Sequence, residues 1–202
     1  MAYLSSTLQN NHVFRNFSAK MLSKLTLIIT VLLSSLTSFH TTIYAKDTNL
    51  NKARQLFSKG EVLYAENRVD LALRYYFAAL DLFPSMSKAH YRIGVIYGPL
   101  RREYEKAIEF FHKSINCDFQ DPNAYHGLGI TYCMAGDEEL GSKFLLRAGI
   151  VFLREGNIRT ALSIYDVLIQ IGEKHRAEEL AKAIEKKDSS ESLSLPTMRF
   201  PR

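Results

Sequence analysis

The side chains able to do chemistry are few and scattered. His90, His112 and His126 carry imidazoles suited to zinc or to proton transfer. A zinc-binding helix presents ligands at i and i+4, and none of the three has such a partner. His90 falls at a bulky packing position of its segment, so all three read as core or surface side chains. Gly127-Leu128-Gly129 starts like a dinucleotide loop but lacks the third glycine and follows a helix start rather than a strand, so these read as packing glycines. Cys117 and Cys133 are the two cysteines of the chain, and an oxidising compartment would favour their pairing. One lies near the end of a helix and the other near the far end of the antiparallel next one. The helical rise separates them by about 15 Å, beyond a disulfide's reach. Two buried or half-buried thiols are expected. No nucleophile–base pair or phosphate loop emerges, so the expectation is no enzyme, no cofactor and no metal.

Charge narrows the partner class. The formal charge is +5, yet residues 1–45 hold Arg15, Lys20 and Lys24 and no acid, and the remainder has 23 basic against 21 acidic residues. Those charges are interspersed, which leaves little footprint for nucleic acid. A chain of 202 residues, 47% hydrophobic, suffices for one buried domain with tails.

The amino-terminal segment has the layout of a secretory signal: Lys20 and Lys24, an apolar run from Leu25 to Leu33 continuing to Leu36, then a polar stretch ending at Ala45. Cleavage after Ala45 is expected. Residues 1–20 are long and polar for such a segment, which points to Met21 as the start and the first twenty as an extension. Asn16-Phe17-Ser18 matches a glycosylation acceptor but lies upstream of the segment expected to be removed. An uncleaved membrane anchor is a rival reading, since Leu25 to Ala45 has the length, diluted by Ser34, Ser35, Thr37, Ser38, His40, Thr41 and Thr42. An organelle presequence is a third.

From about Leu50 onward, apolar residues recur at three- and four-residue spacing and no alternating pattern competes, so the class is all-α. Seven or eight helices of 12 to 20 residues are expected. Breaks fall at Glu66-Asn67, Pro84-Ser85, Gly98-Pro99, Asp121-Pro122, Gly136-Asp137, Gly156-Asn157 and Gly172. Asp121-Pro122 is the cleanest, with Asp as N-cap and Pro at N1.

Self-similarity at a spacing of about 34 residues organises these helices. Gly60, Gly94 and Gly129 coincide, as do Ala72, Ala107 and Gly141, then Tyr76, Phe111 and Leu145, then Ala79, Ser114 and Ala148. Glycine inside a helix costs about 1 kcal/mol relative to alanine, so its recurrence in register implies helices too close for a side chain.

These residues resemble the tetratricopeptide repeat (TPR) family. Its pattern reads as Leu56, Lys59, Gly60, Leu63, Ala72, Tyr76, Ala79 and Pro84 in the first unit, as His90, Ile93, Gly94, Tyr97, Ala107, Phe111 and Ser114 in the second, and as Pro122, Tyr125, Leu128, Gly129, Tyr132, Gly141, Leu145 and Ala148 in the third. The resemblance implies a right-handed superhelix (α-solenoid) of antiparallel pairs over 48–187. Its units are 52–85, 87–120, 122–149 and a divergent 150–187. The second unit has one extra residue, so a widened turn is expected over Gly98 to Glu103. In the fourth, Gly149, Phe152, Ala161, Tyr165 and Leu168 fit the template, with one long helix Asp137 to Glu155, then Ile158 to Ile171, then a capping helix Glu173 to Lys187. The Ser-rich tail 188–202 is expected to be disordered.

By that resemblance the inward-facing row is Arg54, Phe57, Glu61 and Tyr64, then Lys88, Tyr91 and Val95, then Asn123, His126, Ile130 and Cys133. It reads as aromatic and aliphatic with few charges, suited to an apolar peptide or an amphipathic helix. Phe57, Val95 and Ile130 are equally compatible with packing between helices. Phe57 and Glu61 stand where the family's carboxylate-gripping Lys and Asn would be, which argues against that mode. The expected function is a non-catalytic adaptor holding a protein or peptide outside the cytoplasm, in the bacterial periplasm, within envelope or secretion assemblies, with membrane contact only through an uncleaved N-terminal segment. A pentatricopeptide-like RNA binder is the remote alternative, disfavoured by the glycine pattern and the near-neutral charge.

Overall fold

The chain is described by a computed structural model that covers Lys24, Leu27, residues 29–36 and residues 47–192, with side chains through 187. It divides into two units, Met1–Asn51 and Lys52–Arg202. In the first, residues 29–36 are helical, as are 47–51, which begin the helix that runs over 47–65 and whose residues 52–65 belong to the second unit. The expected cleavage point and the extension 1–20 lie outside the described residues. Among the described residues no helix is long and apolar enough to cross a membrane.

The second unit is built from α1 (52–65), α2 (Val69–Leu82), α3 (Ser87–Val95), α4 (Tyr104–Cys117), α5 (Pro122–Ala135), α6 (Glu138–Arg154), α7 (Ile158–Gln170) and α8 (Lys174–Ser192). From α2 onward each helix packs on the next. Local chemistry sets the ends. The Asp121 carboxylate accepts the Asn123 N–H at 2.9 Å and Pro122 occupies the first turn. Asp137 caps α6 through Leu140 N–H at 2.9 Å, and Asn157 caps α7 through Thr160 N–H at 3.2 Å. Gly136 ends α5 at φ 93°, the left-handed conformation that glycine takes without strain.

The widened turn takes a specific form. α3 is only nine residues long because it passes directly into a π-helical turn, Ile96–Leu100, with Pro99 inside it. The Arg101 N–H reaches the Ile96 carbonyl at 3.1 Å, an i to i+5 bond that absorbs the extra residue. The widening thus begins two residues earlier than the Gly98–Glu103 expectation.

The repeated glycines are contact glycines. A Cβ on Gly60 would lie 2.6 Å from the Tyr76 ring, and one on Gly94 would lie 2.9 Å from the Phe111 ring. Phe111 is also held from the other side, since a Cβ on Gly127 would approach it to 2.5 Å. At the third crossing backbone joins the obstacle: a Cβ on Gly129 would meet Leu145 Cγ at 2.8 Å and the Gly141 carbonyl oxygen and the Leu145 nitrogen, each at 2.9 Å. Tyr76, Phe111 and Leu145 are buried, as are Ala79, Ser114 and Ala148. The equivalences therefore report the core directly.

The fourth unit departs from the template and two expectations need correction. A Cβ on Gly149 would meet Leu180 of α8 and Ile164 of α7, and Tyr165 is half-buried. α6 runs unbroken out of the third unit, so its second half meets α7 and α8 in a register the template does not describe. α8 continues five residues past Lys187, because Asp188 to Ser192 contains neither Gly nor Pro to stop it. The rest of the expected tail lies outside the described residues. Finally, Cys117 is exposed at the end of α4 rather than buried, while Cys133 is half-buried at the α5–α6 crossing and neither is in a disulfide.

Candidate functional site

Successive first helices α1, α3 and the start of α5 frame a concave recess of about 390 Å³, lined by Phe57, Glu61, Lys88, Tyr91, Arg92, Asp121 and Asn123. Five of the eleven inward-row candidates meet here. Phe57 leans on Tyr76 with ring centroids 5.5 Å apart, and Tyr91 leans on Phe111 at 5.9 Å, so each ring shows one side to the recess and packs with the other. Lys88 and Asn123 are exposed at the rim. The Asn123 side-chain amide donates to Asp121 at 2.8 Å, fixing the rim at the start of α5.

The other six are placed differently, Cys133 at the α5–α6 crossing. Arg54 is exposed and does not line the recess. Tyr64 lies beneath Arg92, whose guanidinium carbon is 5.6 Å from the ring centroid. Val95 packs against Ala107, Phe111 and Leu128, and Ile130 against the cluster containing Leu145 and Leu168. His126 is half-buried, and burial lowers its pKa. Val95 and Ile130, like Phe57 and Tyr91, are half-buried with one side on a core cluster, but neither lines the recess.

The floor is ionic, contrary to the expectation of few charges. Glu61 receives hydrogen bonds from the Tyr76 hydroxyl at 2.5 Å and from Arg92 Nε at 2.8 Å, and its second oxygen accepts Arg92 Nη2. This joins α1 to α2 and α3. Arg92 also lies 5.8 Å from the Tyr91 ring, so two aromatic faces flank the guanidinium. Burial, then the bond to Glu61 and its charge, push the Tyr76 phenol well above its ordinary pKa. Burial opposes the Arg92 charge, but the Glu61 bond and charge outweigh it and raise the guanidinium further. Both Glu61 oxygens are engaged, so this carboxylate is an anchor for the neighbouring helix and not a free base.

Sequence reasoning missed Arg92 and Asp121. Arg92 follows Glu61 by 31 residues, just short of one repeat, a signal that opposite charges on adjacent first helices face each other. Asp121 was read only as a helix cap. His90 is buried with Nε2 2.8 Å from the Pro84 carbonyl oxygen, a core role in keeping with its packing position. Among the described residues no cluster of three His, Cys, Asp or Glu side chains is arranged to hold a metal ion.

No family model matches the sequence, and no curated protein matches it. Solved structures do. The first TPR of Spaghetti (RPAP3) bound to the HSP90 peptide SRMEEVD aligns at 19% identity and TM-score 0.54, over 62% of this chain and 94% of that one. The Yersinia enterocolitica type III secretion translocator chaperone SycD aligns at 16% identity and TM-score 0.57, over 62% and 86%. PcrH in complex with the chaperone-binding region of PopD aligns at 15% identity and TM-score 0.57, over 62% and 94%. At these identities the likeness fixes the fold: the chain is an all-α solenoid of tetratricopeptide-type helix pairs.

Proposed function

We propose that the protein is a non-catalytic adaptor that holds a segment of another polypeptide in the recess on its first helices. One observation carries the reading: ring faces of Phe57 and Tyr91 and unequal charges of Lys88, Arg92, Glu61 and Asp121 converge on one open concavity. Exposed aromatic area supplies affinity, and fixed charges of both signs supply register. Similar solenoids have been solved with an HSP90 peptide and with a region of PopD bound. The bound segment on this reading has an apolar anchor between the rings and polar or charged flanks, nearer to the amphipathic helix than to the apolar peptide expected from sequence.

The location we propose is outside the cytoplasm, in envelope or secretion-related assembly, on the strength of the acid-free, apolar-centred segment 1–45. Photo-crosslinking tests the binding reading. With p-benzoylphenylalanine at position 88 or 123, one discrete protein adduct is expected in native cells, and none from position 159 on α7. Adducts that form only from position 159 would contradict it.

A further inference from the structure

A second surface lies on α6, away from the recess just described. Lys143, Leu146, Arg147, Ile150 and Arg154 line a shallow trough of about 410 Å³. Their spacing along α6 follows one helical face over three turns, about 16 Å in length. Three cations frame two half-buried aliphatic side chains, and no acid lines the trough. Part of this has a local explanation. Lys143 pairs with Glu139 at 2.8 Å one turn away, and Arg154 sits where the helix dipole favours a cation. Arg147 has neither excuse: it is mid-helix, and its guanidinium carbon lies 4.6 Å from the centroid of the Tyr125 ring. A guanidinium held against a ring gives up little freedom on meeting a carboxylate. Neither Arg147 nor Arg154 has an ion pair among the described residues. At the helix end, Lys187 of α8 donates to the Leu153 carbonyl and adds positive charge there.

Charge decides what covers this face. The chain's own outlying segments are unsuited, since residues 1–45 contain three basic residues and no acid, and residues 193–202 contain Arg199 and Arg202 and no acid. We infer that the α6 trough docks an acidic amphipathic helix of a partner protein, with carboxylates toward Lys143, Arg147 and Arg154 and aliphatic side chains toward Leu146 and Ile150. The first-helix recess and this trough then engage different segments, and either reading stands without the other.

The test uses the full chain and a fluorescent 18-residue Glu/Leu peptide with its leucines on one helical stripe, followed by anisotropy. Saturable binding that weakens with salt is expected. A Lys143→Glu, Arg154→Glu variant should bind about tenfold more weakly, and a Lys/Leu version of the peptide should prefer that variant to the native chain. Thermal melting checks the fold, and Lys143→Gln, Arg154→Gln provides a milder pair that retains the direction of the effect. The inference is overturned if the native chain does not bind the peptide, if a scrambled peptide of equal charge binds equally well, or if the variant binds unchanged. Retention on phosphatidylglycerol vesicles without peptide binding would make the face a membrane surface and would equally overturn it.

Discussion

The same inward register ends differently in the two halves of the repeat body. On α1 and α3, Phe57, Glu61 and Tyr91 border an open recess, whereas on α5 Ile130 is half-buried against the cluster containing Leu145 and Leu168 and Cys133 is half-buried at the α6 crossing. The cause is the distance between helices. At the first two crossings a side-chain ring fills the space left by glycine, but at the third Gly129 and Gly141 bring backbone against backbone. The closer approach sets Gly141 of α6 against Cys133, the last residue of the inward row on α5. Register places a residue on a face, and helix spacing decides whether that face is groove or core.

The strongest way to break this comparison is to wedge the crossings apart. Gly129→Ala should destabilise by about 3 kcal/mol, because the obstructing atoms include backbone and the roughly 1 kcal/mol of helix propensity gained does not offset overpacking. Gly60→Ala should cost about 1 kcal/mol, since only a ring must shift. Urea unfolding of both variants measures the difference. Next in size, Ile130→Ala should cost about 2 kcal/mol as a cavity mutation, while Lys88→Ala at the rim should stay within about 0.5 kcal/mol. Tyr76→Phe removes one hydrogen bond to Glu61 and should cost about 1 kcal/mol, visible as a lower denaturation midpoint at unchanged slope.

The smallest effect is that of pH. Burial lowers the pKa of both His90 and His126 from the ordinary 6.5. The unfolded chain therefore binds protons that the folded chain refuses below about pH 6.5, and this part of the stability is present above that value and lost as pH falls. His90 Nδ1 is buried without a partner, so protonation there gains no bond. A His90→Gln, His126→Gln variant should lose less melting temperature than the native chain between pH 7.5 and 5.5.

Much of this was legible in the sequence for a physical reason. Gly60, Gly94 and Gly129 are costly in helices, so their recurrence in register reports a contact, and Asp121-Pro122 states its own cap. Arg92 was missed as a groove residue, because its role depends on facing Glu61 from the next first helix, for which the 31-residue spacing is the one signal. The exposure of Cys117 and the extension of α8 were missed where no Gly or Pro marks an end. The fate of Ile130 depends on a backbone separation that periodicity does not encode.

That separation gives the most direct measurement. In a Cys117→Ser, Cys133→Ser background, single cysteines at positions 57, 91, 123, 95 and 130 are exposed to a thiol reagent under native conditions. Ready modification is expected at 57, 91 and 123, which line the recess, and slower reaction at 95 and 130, which are half-buried against the clusters around Leu128 and Leu145 and do not line it. Equal rates along the whole row would show one continuous groove and contradict that expectation.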